Sequence, residues 1–384
     1  MNRILSGTQS ASNKTPRRIN RNLLFNLIRT KQPISRADLA RLSGLQRSTV
    51  SLIVEELIAE RWIFEGASGH LPRGRRPTMI ELNEQRAIVA LDIHPAQTTV
   101  AIVDLGGRIL AQSVIELPQD GKKALTAIVA GVRRMMAAHK EKSFDGIGIC
   151  LPGRTDLQSQ KLIFAPNLKW PVLAIKARME RATGLRVAMD NVANACALSE
   201  VWFGDSDRTH DLVLVNVSEG IGTGIIANGQ LLRGDSGLAG EFGHVEIQPD
   251  GPQCACGNLG CWETLASNRA ALRYYRELVP GSSKLTFAGL IKLAQAGDKS
   301  AVEALTRMAR QLARGIRMIM SSLSPGEIVV VGDVTAMWHL IGPVVEAEIR
   351  KNSISRLPVL RPAYDGNAAR LRSAVALFLS EGTV

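Results

Sequence analysis

No stretch of this sequence approaches the ~18 consecutive apolar residues that a membrane span requires. Its opening segment, MNRILSGTQSASNKTPRR, has no apolar core, so no secretory signal is expected. Cysteine is sparse, with five in 384 residues, which excludes a disulfide framework and points to a reducing, cytoplasmic setting. Acidic residues are also in deficit: 35 Asp and Glu stand against 47 Lys and Arg, a net charge of +12. What is present is globular in character. Hydrophobic residues make up 45% and charged residues 21%, which excludes wholesale disorder and supplies sizeable cores. At about 150 residues per domain, two or three domains are expected.

The acidic deficit is local. Residues 1–80 hold fourteen Lys/Arg and five Asp/Glu, a balance of +9. Subtracting these from the totals leaves 33 against 30, or +3, for all the rest. A basic end on a nearly neutral body suggests a nucleic-acid-binding module, provided the basic end has a folding pattern that a solvated tail would lack.

It has one. Residues 1–16 are polar and read as an arm, but from Arg17 the apolar residues Ile19, Leu23, Leu24, Leu27 and Ile28 recur at helical spacing until Pro33. Ser35 reads as the N-cap of a short helix, Arg36 to Leu42, with Asp38 as its acidic partner. Ser43-Gly44 makes a turn, and Gln46-Arg47-Ser48-Thr49 opens a third helix whose apolar face is Val50, Ile53, Val54, Leu57 and Ile58. This is the helix-turn-helix pattern, in which the second helix lays its N-terminal side chains in the major groove. Gln46, Arg47, Ser48, Thr49 and Ser51 are the candidate base and phosphate contacts, together with Ser35, while Arg17, Arg18 and Arg21 are candidate phosphate partners. Two short strands, Trp62–Phe64 and Met79–Leu82, flank a Gly/Pro/Arg loop and predict a wing. Arg73, Arg75 and Arg76, held extended by Pro72 and Pro77, would enter a narrow minor groove or contact phosphates alone. A winged helix-turn-helix domain is thus expected over residues 17–80.

From Ala87 the chain alternates β-rich runs with helical patterns, which argues for an α/β body. About 300 residues exceed one compact core, so two lobes are expected. The first would span about 87–200 plus the C-terminal helix, and the second about 201–365.

Four segments of the body carry chemistry. His244, Cys254, Cys256 and Cys261 combine one imidazole and three thiols, with glycines for tight turns, and suit one closed, structural zinc ion per chain. Cys150 and Cys196 lie in apolar runs and read as core. Gly220-Ile221-Gly222-Thr223-Gly224 follows a strand and is either a phosphate-cradling loop or a tight turn. Glu241 precedes the metal His by three residues and Glu263 follows the last metal Cys by two, so the metal loop would fix two carboxylates. Pro166-Asn167-Leu168 and Asp190-Asn191-Val192-Ala193-Asn194 complete the set, because rigid carboxylates and amides suit sugar hydroxyls.

In this order, the helix-turn-helix, the Gly-rich segment, GEFGH, CACGNLGCWE and the Asn-Ala helix start resemble the ROK family of repressors and sugar kinases, and its repressor branch in particular. The resemblance implies a bilobal, actin-like ATPase-type fold with a zinc loop beside a sugar cleft. It carries sugar contacts onto Asn167, Asn191, Glu241, His244 and Glu263. Departures bear on activity. The kinases' pattern has an Asp general base where this chain has Val192, and a Gly-rich turn where it has Asp92-Ile93-His94-Pro95-Ala96. Val331-Gly332-Asp333-Val334 replaces a Gly-Gly pair near the nucleotide. The resemblance therefore implies a cytoplasmic, sugar-responsive repressor rather than an enzyme, a homodimer or tetramer on operator DNA. Its alternatives are a sugar kinase with an appended DNA-binding domain and a repressor governed by a protein partner.

Overall fold

The computed structural model describes residues 14–68, 78–95, 97–156, 161–165, 168, 170–204, 211–351, 356–363 and 367–381. Arg73, Arg75, Arg76, Asn167 and most of the expected arm lie outside these residues.

The basic end folds as three helices, Lys14–Lys31, Arg36–Ser43 and Arg47–Ala59, against a three-stranded antiparallel sheet. The first helix begins at Lys14, inside the segment expected to be an arm. Ile34–Ser35 pairs with Thr78–Leu82, which pairs in turn with Ile63–Ser68. Leu24, Phe25, Ile28, Leu39, Val50, Ile53, Val54, Leu57 and Ile80 fill the core, so the helical apolar spacing is met by burial. Gly44 ends the second helix at φ 70°, donating its N–H to the Ala40 carbonyl, a left-handed cap that favours glycine. Ser35 is buried: its hydroxyl donates to the Asp38 carboxylate at 2.7 Å and accepts from the Asp38 N–H at 3.2 Å. It holds the helix start instead of facing outward. Arg17 and Arg21 pair with Glu56, and Arg21 also with Glu60, so both are engaged within the domain.

The body contains two five-stranded sheets with the same plan. In the first, Arg86–Ile93, Gln97–Asp104 and Ile109–Glu116 form an antiparallel meander, and Ser143–Leu151 and Arg186–Asn191 add on parallel at the other side. In the second, Leu212–Val217, Ile221–Ala227 and Gln230–Leu231 form the meander, with Glu327–Val331 and Val359–Pro362 parallel beyond. The central strands read as continuous apolar runs because both faces are covered. Two helices lie between the sheets: Val192–Phe203, which enters directly from the last strand of the first sheet, and the C-terminal Asn367–Ser380. Their buried faces share one core with the basic domain. The outer face of the second sheet is covered by the long helix Lys299–Leu323 and its neighbours. Among the described residues no helix is long and apolar enough to cross a membrane.

Candidate functional site

A cleft of about 140 Å³ opens between the two sheets. Its floor is the start of the helix Val192–Phe203, with Asn191 as N-cap, its side-chain oxygen accepting the Asn194 N–H at 2.8 Å. Asn191 itself lines the cleft. Val192 lines the cleft, whereas Asp190 turns away: it is buried, accepts the Asn191 N–H at 2.7 Å and pairs with Arg233.

One wall comes from the second sheet. The strand Ile221–Ala227 carries Gly222 and Gly224, while Gly220 lies in the turn before it, and Gly220 and Gly222 line the cleft. The strand's backbone is spent on pairing with Leu212–Val217, and its glycines allow a close approach of the helix at the cleft floor: a Cβ on Gly224 would lie 2.4 Å from the Ala193 carbonyl oxygen. Residues Glu241–His244 form a short 3₁₀ turn pressed on the same strand. From this turn Glu241 and His244 reach the cleft, and Glu263 joins them from the start of the helix Trp262–Ala266, its carboxylate accepting the Ile221 N–H at 3.4 Å.

Behind this wall the four expected metal ligands come together. Ligand atoms of His244, Cys254, Cys256 and Cys261 all lie within 4.8 Å of one another. His244 Nδ1 is 3.5 Å from Cys254 Sγ, and Cys256 Sγ is 3.7 Å from Cys261 Sγ. Those two separations match edges of a tetrahedron with bonds of about 2.0–2.3 Å, so the four residues could hold a metal ion. Burial pushes the Cys254 thiol well up and the Cys261 thiol up to about 11. The two ring nitrogens of His244 face different ways: Nδ1 toward the sulfurs and Nε2 toward Glu241, 3.8 Å from its carboxylate. Glu263 lies 3.0 Å from Cys254 Sγ, so the metal loop and the cleft share their side chains. Cys150 and Cys196 are fully buried, as core residues should be.

The opposite wall, from the first sheet, has different contents. Asp92 is buried and accepts two bonds from the Arg370 guanidinium, at 3.1 and 2.9 Å, while His94 Nε2 lies 2.9 Å from its other oxygen. Burial alone would raise this carboxyl, but Arg370 and His94 outweigh it and hold it down at about 2. Arg370 escaped the sequence reading. Its one signal was an arginine inside the apolar C-terminal pattern, and only folding brings it to Asp92. Arg154 also lines the cleft, 4.0 Å from Glu241.

In the basic domain, Gln46, Arg47 and Ser48 are exposed at the start of the third helix, and Thr49 and Ser51 are half-buried. Leu52, beside them, is also exposed and was not anticipated.

Comparison with known proteins gives concordant results. A family profile described as "ROK family" matches residues 88–381. The chain is 32% identical over 345 residues to the xylose repressor of Bacillus subtilis, covering 89% of each chain. Among solved structures, a ROK family transcriptional regulator described as a homologue of the E. coli MLC protein superposes with a TM-score of 0.79 and 26% identity, covering 96% of this chain and 99% of that one. A ROK family glucokinase from Streptomyces griseus, in complex with glucose and AMPPNP, gives a TM-score of 0.69 and 28% identity, covering 98% of the glucokinase but 76% of this chain.

Proposed function

The chain belongs to the ROK family, and from that premise we propose that it is a sugar-responsive, DNA-binding transcriptional repressor of carbohydrate genes. The observation that carries this reading is the extent of the likeness: the repressor relative covers 89% of the chain and the regulator structure 96%, whereas the glucokinase stops at 76%.

DNA is read by the exposed start of the third helix. Gln46 and Arg47 are suited to bidentate base contacts, and Ser48, Thr49 and Ser51 to phosphates or bases. Arg73, Arg75 and Arg76 contribute from the wing, and Ser35 acts through its cap. The protein pairs as a homodimer or tetramer, so that two such helices meet half-sites about 34–36 Å apart. A sugar sits on the cleft floor. The Asn191 amide donates to a hydroxyl, Glu241 and Glu263 accept from hydroxyls, and His244 Nε2 completes the set, with Asn167 as a further contact. One zinc ion, held by His244 Nδ1, Cys254, Cys256 and Cys261, would fix the loop that aims these groups.

The same cleft is poorly equipped for phosphoryl transfer. Val192 cannot take a proton from a sugar hydroxyl, and loss of a general base costs about 10²- to 10⁴-fold in rate. Asp190 is committed to Arg233 and Asp92 to Arg370.

Calorimetry with D-xylose, D-glucose and N-acetyl-D-glucosamine, combined with binding to a duplex selected from random sequence, tests the proposal. One sugar should bind and change duplex affinity. Silence with every sugar would favour control by a protein partner, and ATP-dependent phosphorylation of any of them would favour a kinase. Arg47→Ala should relax base preference by about 1–3 kcal/mol, and Arg75→Ala should weaken binding evenly and lower the salt slope by about one. Unchanged binding in both variants would remove the DNA-reading assignment.

A further inference from the structure

A short ribbon at the cleft stands apart from both sheets of the body. Arg154–Thr155 pairs antiparallel with Leu162–Phe164, and Arg154 lies directly opposite Phe164. Directly opposed residues on paired strands project from the same face, and here both line the cleft. The ribbon is closed tightly at its base. Gly153 sits at φ 109°, a conformation that favours glycine, and a Cβ there would lie 2.3 Å from the Phe164 carbonyl oxygen. Leu162 is tied in turn to Leu173 by two backbone bonds, at 3.1 and 3.3 Å. Backbone therefore fixes this pair of side chains: a guanidinium and, beside it, a ring that is 36% exposed.

That guanidinium is the unmatched charge of the cleft. Arg370 and His94 are spent on Asp92, and Glu219 is spent on Arg269. Arg154 has no hydrogen-bond partner among the described residues. Its Nε is buried and bonded to nothing, and the one carboxylate near its head, Glu241, stands 4.0 Å away, beyond hydrogen-bonding distance. A guanidinium offers five donors and no acceptor, so only an acceptor-rich group satisfies it. A donor left unpaired in a shielded place is costly, and a ligand that brings an acceptor removes that cost.

The geometry points to a sugar acid as the ligand of this cleft, its carboxylate held by Arg154 and its ring laid across Phe164. Sugar acids carry hydroxyls close to the carboxylate. One ligand can then donate to Glu241 while accepting from Arg154, which gives a use to two groups of opposite sign set 4.0 Å apart. Charge favours a carboxylate over a phosphate ester. A phosphate would bring about −1.5 to −2 beside Glu241 and Glu263, whereas a carboxylate brings one charge to one guanidinium. This ligand class rests on the sugar-sensing reading above and narrows it.

The test uses the full chain and calorimetry with D-glucuronate, D-galacturonate, their neutral parents D-glucose and D-galactose, and D-glucose 6-phosphate. One acid should bind about 10–150-fold tighter than its neutral parent, the worth of a hydrogen bond to a charged group. Arg154→Met, which keeps the apolar stem, should lower acid affinity by about the same factor. Its affinity for the neutral parent and, without sugar, for the selected duplex should stay within about threefold of wild type. Arg154→Lys, which keeps the charge but not the fork, should recover part of the loss. Phe164→Ala should weaken acid and neutral parent alike, by about 2–12-fold, the worth of an aromatic contact. A neutral parent that binds as tightly as its acid, or an acid affinity that survives intact in Arg154→Met, overturns the sugar-acid assignment and leaves the sensor reading standing. Glucose 6-phosphate binding more tightly than either acid overturns the carboxylate in favour of a phosphate ester. A wild type that binds none of the five, nor D-xylose or N-acetyl-D-glucosamine, overturns the assignment and the sensor reading together.

Discussion

The two walls of the cleft are built on one strand plan and filled in opposite ways. The wall from the second sheet turns polar groups toward the cleft: Glu241, Glu263 and His244 stand on a turn and a helix start beside the His-Cys cluster, with Glu263 also accepting the Ile221 N–H. The wall from the first sheet has its carboxylate satisfied, Asp92 being closed by Arg370 and His94, while Asp190 is turned onto Arg233; it keeps one buried donor without a hydrogen-bond partner, Arg154 Nε. An identical scaffold thus presents hydrogen-bonding capacity on one side and internal neutralisation on the other. Under the proposed reading, recognition rests mainly on the wall from the second sheet.

The sharpest way to break this contrast is Cys254→Ser. Structural zinc sites contribute about 10–16 kcal/mol in small peptides, so losing a ligand should release the metal and abolish sugar binding, as read by metal content and calorimetry. A normal sugar affinity in a metal-free protein would separate the loop from the recognising wall. Next comes Arg370→Met, which strands a buried carboxylate and should cost about 3–5 kcal/mol in denaturant unfolding. The double change Arg370→Met with Asp92→Asn should recover much of that. The Asp92 carboxyl lies below its unfolded value, so its stabilisation is present above about pH 4 and is lost as pH falls toward about 2. Asp92→Asn should therefore flatten the acid limb of stability. Glu263→Gln, on the open wall, should weaken sugar binding by about 10–150-fold, the worth of a hydrogen bond to a charged group. His94→Ala, on the closed wall, should leave sugar affinity within about twofold, since its ring is engaged with Asp92. A large loss there would mean that both walls recognise the ligand.

Much of this was legible in the sequence because the signals were local. The helical spacing from Ile19 to Ile28, the cap at Ser35 and the glycine after Ser43 specify their elements within a few residues, and the His-Cys-Cys-Cys spacing carries its own chemistry. What was not legible depends on distance along the chain. Arg370 and Asp92 lie 278 positions apart, and nothing near either announces the other. Arg17 and Arg21, read as candidate phosphate partners, also pair with Glu56 and Glu60, 35 to 39 positions away, which no local signal announces. The Gly-rich segment was legible only in part for a related reason: glycine records that something comes close without recording what, and here the neighbour is the Ala193 backbone.

Those close approaches also set where this protein can vary. Gly224 faces the Ala193 carbonyl at 2.4 Å, Gly243 the Ile221 carbonyl at 2.1 Å and Gly260 the Gln248 carbonyl at 1.7 Å, measured to a Cβ that is not there. At each of these positions a single added carbon meets backbone that cannot rotate away. Glu241 and Glu263 line the cleft, but Glu263 also accepts the Ile221 N–H and lies 3.0 Å from Cys254 Sγ. A library aimed at new ligands must therefore leave these small, featureless residues untouched, together with His244 and Glu263, which the cleft shares with the His-Cys cluster.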